Sequence, residues 1–319
     1  MPAHPIVRAR GWRGLLAAAA LLALCAAPAP PAGAQPPAAF RAETRLVVLH
    51  VTVTNRAHEL VTNLDRGAFT VYENGRRQPI ALFSRNDVPV SLGLLIDNSG
   101  SMRLLRPRVE AAALALVRAS NPDDETFVLN FADLPHIDVP LTSDIHRIEA
   151  GLRRVDAIGG TAMRDAVDMA EQYLRQHARR DRRVLVVISD GADNASVTPL
   201  DRIIARAERD GTTVYAIGLL QSEGSADAKH ARRALQRLAE STGGLAYDPG
   251  SIDEIDRVAL DIARQIRNQY TIAYAPTHQL LDGSYRQIRV TVQGPGGLSA
   301  HTRAGYLATP DPPDQPGRR

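Results

Sequence analysis

Leu92-Gly93-Leu94-Leu95-Ile96-Asp97-Asn98-Ser99-Gly100-Ser101-Met102 is the stretch that decides the fold. An apolar run stops on an acidic residue, and two serines come next at alternate positions around a glycine. Continuous apolar runs of this length, bounded by turn residues, read as strands of a parallel sheet buried on both faces. The residues after such a strand lie at the carboxyl edge of the sheet, where open α/β folds hold their ligands. Asp97, Ser99 and Ser101 therefore present one carboxylate and two hydroxyls to a crevice. These are hard oxygen donors, of the kind that suits magnesium or manganese.

Beyond this stretch, further apolar strands are expected at Thr126–Phe131, Val184–Asp190 and Thr213–Leu219, with a short one at Leu245–Tyr247. Amphipathic helices alternate with them. Val109, Ala112, Ala113, Leu116 and Val117 have helical spacing, as do Met163, Ala166, Val167, Ala170 and Leu174. The same spacing recurs at Ile145, Ile148, Leu152 and Val155, at Leu200, Ile203, Ile204 and Ala207, and from Ile252 to Ile266. Strand–helix alternation of this kind predicts a doubly wound α/β fold with a mainly parallel sheet. His136–Leu141 reads as an extra strand.

The flanks have a different texture. Leu46, Val48, Val51 and Val53 nearly alternate, and Phe69–Glu73 and Pro79–Phe83 flank Asn74-Gly75, which favours the positive φ angles of a tight hairpin turn. Beyond Asn268, the segments Tyr270–Ala275, Tyr285–Val292 and Ser299–Tyr306 are again strand-like. The economical arrangement is one β-sandwich built from residues 40–88 and 269–308, with an α/β domain over 89–268 inserted between its strands. The Pro- and Asp-rich tail, 309–319, is expected to be disordered.

The 319 residues open with Arg8, Arg10 and Arg13, an apolar block from Leu15 to Ala27, and Pro/Ala-rich sequence to Ala32-Gly33-Ala34. That is the order of a secretory signal peptide, expected over 1–34, and its apolar block is short for a membrane span. Cys25 is the only cysteine, and Leu24 before it departs from the small residue that lipidation wants. These features imply an exported, periplasmic or extracellular, disulfide-free protein. The three leader arginines account for the whole formal charge of +3, so the remainder is balanced and carries no nucleic-acid signature. The basic cluster Arg175, Arg179, Arg180, Arg182 and Arg183 falls at an expected helix end and reads as solvated.

Two more loops reach the same sheet edge as Asp97. Gly159-Gly160-Thr161 places a hydroxyl ahead of a helix, and Ser189-Asp190-Gly191 ends another strand on an aspartate. Any one of these residues alone is explained by helix capping or an ordinary turn. Asp97, Ser99, Ser101, Thr161 and Asp190 together place oxygen donors on three loops of one edge, which capping needs do not require.

In this order and context the five residues resemble the metal-ion-dependent adhesion site of von Willebrand factor type A domains, over roughly residues 89 to 268. The flanking strands resemble those of a bacterial, acidobacterial-type subgroup that pairs them as a sandwich. The resemblance implies that Ser99 and Ser101 bind Mg²⁺ or Mn²⁺ through their hydroxyls, and that Thr161 binds directly or through water. It implies that Asp97 and Asp190 act mostly through bridging waters. A cation held by neutral groups keeps its charge towards solvent, and one coordination position stays open for an Asp or Glu carboxylate of a partner protein. Pro107 departs from the pattern and implies a first helix that begins late.

Other classes fit less well. An aspartyl phosphotransferase wants Asp-x-Asp at the strand end, and position 99 is serine. Nucleophile-elbow, zinc-protease and P-loop motifs are absent from the sequence. The histidines are scattered over unrelated elements. A binding module is therefore expected, ahead of a scaffold with a vestigial site and of a metal-dependent hydrolase.

Overall fold

The structure is a computed structural model, and it describes residues 45–153, 158–190, 193–219 and 226–309, all within one compact unit. The leader, Cys25, the tail beyond Thr309, Val155 and Gly191 lie outside the described residues. In chain order the first strands are β1 (Val47–Thr54), β2 (Phe69–Glu73), β3 (Arg76–Gln78), β4 (Ile80–Ser84) and β5 (Val90–Asp97). Helix α1 (Arg106–Ala119) precedes β6 (Glu125–Phe131) and β7 (Pro135–Thr142). Next come α2 (Ile145–Leu152), α3 (Met163–His177), β8 (Arg182–Ser189), α4 (Leu200–Asp210), β9 (Thr212–Gly218) and α5 (Ala226–Thr242). The chain ends with β10 (Ala246–Tyr247), α6 (Ile255–Arg267), β11 (Tyr270–Tyr274), β12 (Tyr285–Val292), β13 (Ser299–His301) and β14 (Gly305–Leu307).

A six-stranded sheet runs β10-β9-β8-β5-β6-β7, parallel throughout except for β7. Every residue of β5 is buried, because helices cover both faces. Leu92, Leu94 and Ile96 pack towards α1 and α6, with Val109, Leu116, Val258 and Ile262. Leu95 points the other way, into a core with Val167, Leu174, Ile203 and Leu238 from α3, α4 and α5. This two-sided burial is what a continuous apolar strand encodes. Gly93 sits where Leu185 and Phe127 press against the backbone, so a side chain there has no room.

Two four-stranded antiparallel sheets flank it, in the orders β13-β1-β11-β4 and β14-β12-β2-β3. Each mixes strands from before and after the α/β segment, and their inner faces share one core containing Leu49, Val51, Val71, Ile272 and Val290. A buried hydrogen bond from the Tyr274 hydroxyl on β11 to Glu73 Oε2 on β2, at 2.7 Å, ties the two sheets together, and the Tyr306 hydroxyl of Glu73's own sheet donates to the same oxygen at 3.0 Å. Among the described residues no helix is long and apolar enough to cross a membrane.

Three details differ from the sequence reading. The Asn74-Gly75 turn does make a hairpin, but its second arm is Arg76–Gln78, and Ile80–Ser84 crosses to pair with β11 in the other sheet. Pro79 separates the two, since it has no N–H to continue a ladder. Likewise Ser299–Tyr306 is two strands, β13 pairing with β1 and β14 with β12. Finally, Arg182 is not a solvated helix end. It is 5% exposed, and its guanidinium donates to Val88 O, Ile266 O and Gln269 Oε1 at 3.0, 2.9 and 2.6 Å. It therefore clasps the two chain segments that pass between the sandwich and the parallel sheet.

Candidate metal centre

Strand β5 delivers Asp97 to the carboxyl edge between two parallel neighbours, β6 and β8. The Asn98 N–H still bonds Phe131 O at 2.7 Å, and the chain then turns sharply. The Ser99 N–H donates to Asp97 Oδ1 at 2.9 Å, while the Ser189 hydroxyl donates to Oδ2 at 2.6 Å. Both oxygens of this fully buried carboxylate are thus oriented. A 3-10 turn, Gly100–Leu104, comes next and brings the Ser99 and Ser101 hydroxyls to 3.1 Å from each other. Met102, 0% exposed, plugs the turn into the core. The α-helix starts only at Arg106 with Pro107 in its first turn, the late start expected from the proline.

The second loop joins the first by backbone. Gly159 has φ +94°, a conformation that side chains resist, and its carbonyl accepts the Gly100 N–H at 3.3 Å. Gly160 N–H donates to Asp133 Oδ1 at 2.7 Å, and Thr161 N–H to Asn194 Oδ1 at 2.8 Å. The Thr161 carbonyl takes the N–H groups of Asn194 and Ala195 at 3.1 and 3.2 Å. Thr161, 2% exposed, is therefore held through its backbone by the segment after Asp190. Arg164, at the start of α3, pins that segment with an ion pair to Asp193, Nε to Oδ2 at 2.9 Å.

Asp190 follows the last residue of β8, Ser189. Its Oδ1 is buried with no hydrogen-bond partner. Burial pushes the Asp97 carboxyl up to about pH 6, against the pull of its bonds from Ser189 and Ser99, and the Asp190 charge pushes it the same way. The two carboxylates are thus near enough for one charge to act on the other, with one Asp190 oxygen buried and unpaired, an arrangement that a cation relieves. Among the described residues no cluster of three His, Cys, Asp or Glu could hold a metal.

Sequence reading missed Arg106. It is 1% exposed, and its Nε donates to Asn98 Oδ1 at 3.2 Å. Its Nη2 reaches Asn130 Oδ1 at 2.7 Å and Leu152 O at 3.2 Å. It therefore fixes the residue between Asp97 and Ser99. An arginine one turn past the loop carries no such message in sequence, because most arginines there face water.

Residues 92–192 match the family model of the von Willebrand factor type A domain. No curated protein matches the chain. Among solved structures, a von Willebrand factor type A protein from Catenulispora acidiphila is 12% identical. The match covers 85% of this chain and 76% of that one, with a TM-score of 0.50. Proximal thread matrix protein 1 of the mussel byssus is 17% identical over 61% of this chain and 51% of its own, also at 0.50. A further structure of that mussel protein carries a zinc-occupied MIDAS motif, at 18% identity, 61% and 50% coverage and a TM-score of 0.49. Residues 92–192, set between the strands of two antiparallel sheets, are the part of this chain that is similar to a von Willebrand factor type A domain.

Proposed function

We propose that this protein is an exported binding module that holds Mg²⁺ or Mn²⁺ with Asp97, Ser99, Ser101, Thr161 and Asp190, and through the ion captures a carboxylate of a partner protein. The observation that carries the reading is the buried, unpartnered Asp190 Oδ1 beside an Asp97 whose own carboxyl resists ionising. Leaving a buried acceptor unsatisfied costs about 1–3 kcal/mol. A divalent cation removes that penalty and the repulsion between the two acids at once. The adjacent Ser99 and Ser101 hydroxyls supply neutral oxygen ligands, which suits a hard ion that keeps part of its water.

When bound, the ion supplies a concentrated positive charge at the protein surface. The chain's own contribution is to orient the donors. Ser189 and the Ser99 N–H aim Asp97, Met102 anchors the serine turn, and Gly159 locks the second loop against Gly100. Because the hydroxyls add no negative charge, the ion still attracts an anionic ligand, and the site works as a binder, not an enzyme. The binding unit is residues 89–268, mounted on the sandwich, and residues 1–34 are the leader that takes it out of the cytoplasm.

The test is a pull-down from envelope extract on the immobilised mature chain. Proteins retained in Mg²⁺, released by EDTA and not retained by Asp97→Ala are expected. The same proteins held equally in EDTA and by Asp97→Ala contradict the reading.

A further inference from the structure

Among the described residues, the four most exposed large apolar side chains are Leu104 at 90%, Val197 at 88%, Leu134 at 78% and Ile158 at 70%. Leu104, Ile158 and Val197 lie on the loops that carry the candidate metal centre, and Leu134 on a turn bonded to one of them. Leu104 closes the 3-10 turn that begins just after Ser99. Ile158 precedes Gly159, whose carbonyl is bonded to Gly100. Leu134 lies in the turn after β6, where the Ala132 carbonyl accepts the Ala162 N–H at 2.7 Å, one residue from Thr161. Val197 is on the segment after Asp190, with its N–H on Asp165 Oδ2 at 3.0 Å.

Single exposed aliphatic residues are ordinary, but an apolar group collected around one polar site marks a binding surface. Of the acidic groups on this rim, Asp193 is paired with Arg164, while Asp133 is exposed with one oxygen held by the Gly160 N–H and keeps its charge. A divalent cation within the collar outweighs that single charge and favours an acidic occupant.

Resting on the metal-site reading, we propose that the partner presents its carboxylate between apolar side chains, as an Asp or Glu at the tip of an otherwise hydrophobic protein segment. The ion takes the carboxylate, and Leu104, Leu134, Ile158 and Val197 take its neighbours. An apolar ring around a central polar contact excludes water and strengthens the contact inside it. The collar therefore sets specificity, because a carboxylate with hydrophilic neighbours meets the ion but leaves the ring wet.

The experiment compares two capped, fluorescent tripeptides, Leu-Asp-Leu and Gly-Asp-Gly, binding to the mature chain in Mg²⁺ by anisotropy, with Mn²⁺ titrated separately. Leu-Asp-Leu should bind tighter by on the order of tenfold, corresponding to about 1.4 kcal/mol, and EDTA should abolish both. The double variant Leu104→Ser/Ile158→Ser changes only exposed side chains. It should erase the preference and leave Mn²⁺ binding unchanged. Equal peptide affinities with intact Mn²⁺ binding overturn the collar and leave the metal site standing. Absence of Mn²⁺ binding overturns both. Mg²⁺-dependent self-association in sedimentation that neither peptide competes away makes a second copy the occupant, and overturns the proposed partner.

Discussion

The Ser189 hydroxyl donates to Asp97 Oδ2 at 2.6 Å, joining the ends of β8 and β5 through two side chains that are 0% exposed. The serine before the second aspartate thus acts on the first. Ser189→Ala should weaken Mn²⁺ binding by about tenfold, the usual scale for losing a group that orients a metal ligand. The fold should persist, since one hydrogen bond contributes about 1 kcal/mol. Calorimetry on the variant, with its thermal melt, separates the two effects.

The acidity of the site sets its pH response. Without metal, burial holds the Asp97 carboxyl up to about pH 6. A cation must displace that proton, so metal affinity should be level above neutrality and fall by up to about tenfold per pH unit below 6. For the metal-free protein the sign is opposite. A raised carboxyl contributes stability that is present at low pH and lost as pH rises through about 6. Mn²⁺ titrations at several pH values, paired with melts in EDTA, check both directions.

Arg106 links Asn98 in the serine loop to Asn130 on β6 and to the Leu152 carbonyl at the end of α2. Arg106→Ala leaves those buried acceptors unmatched and opens a cavity. It should lower stability by about 3 kcal/mol, read from urea unfolding. It should also weaken metal binding, because Asn98 sits between Asp97 and Ser99. Unchanged metal affinity in a folded Arg106→Ala would show that the loop holds itself.

Far from the site, Glu171 on α3 is 1% exposed and accepts the Thr212 hydroxyl at 2.9 Å through Oε2. Burial pushes its carboxyl up to about 8, and the Asp210 charge adds to this while Arg183 and Arg206 oppose it. The protonated folded form is favoured, so the stability it contributes should decline as pH rises from the usual glutamate range through about 8. Glu171→Gln keeps an acceptor for Thr212 and cannot ionise. Its melting temperature should match the parent near pH 5 and exceed it near pH 8.5.

Most of the architecture is legible in the sequence because burial writes itself as pattern. β5 and β8 are covered on both faces and read as unbroken apolar runs, whereas β12 faces one core and alternates. The five candidate donors are legible because each ends a strand or opens a helix at one edge. Where pattern fails, the cause is local. The short arm Arg76–Gln78 is too polar to announce a strand, and its partners lie across a turn. The sheet change between His301 and Gly305 leaves no apolar trace. Arg106, Arg182 and Glu171 are buried by partners distant in sequence, so their charge reads as surface.

Every functional proposal for this protein depends on Asp97, Ser99 and their companions holding a divalent cation. The decisive measurement is calorimetric titration of the mature chain with Mg²⁺ and with Mn²⁺, beside Asp97→Ala and Ser99→Ala variants that still unfold cooperatively. One site in the parent that both variants lose is the predicted result. No binding in the parent, or binding unchanged in both variants, would contradict it.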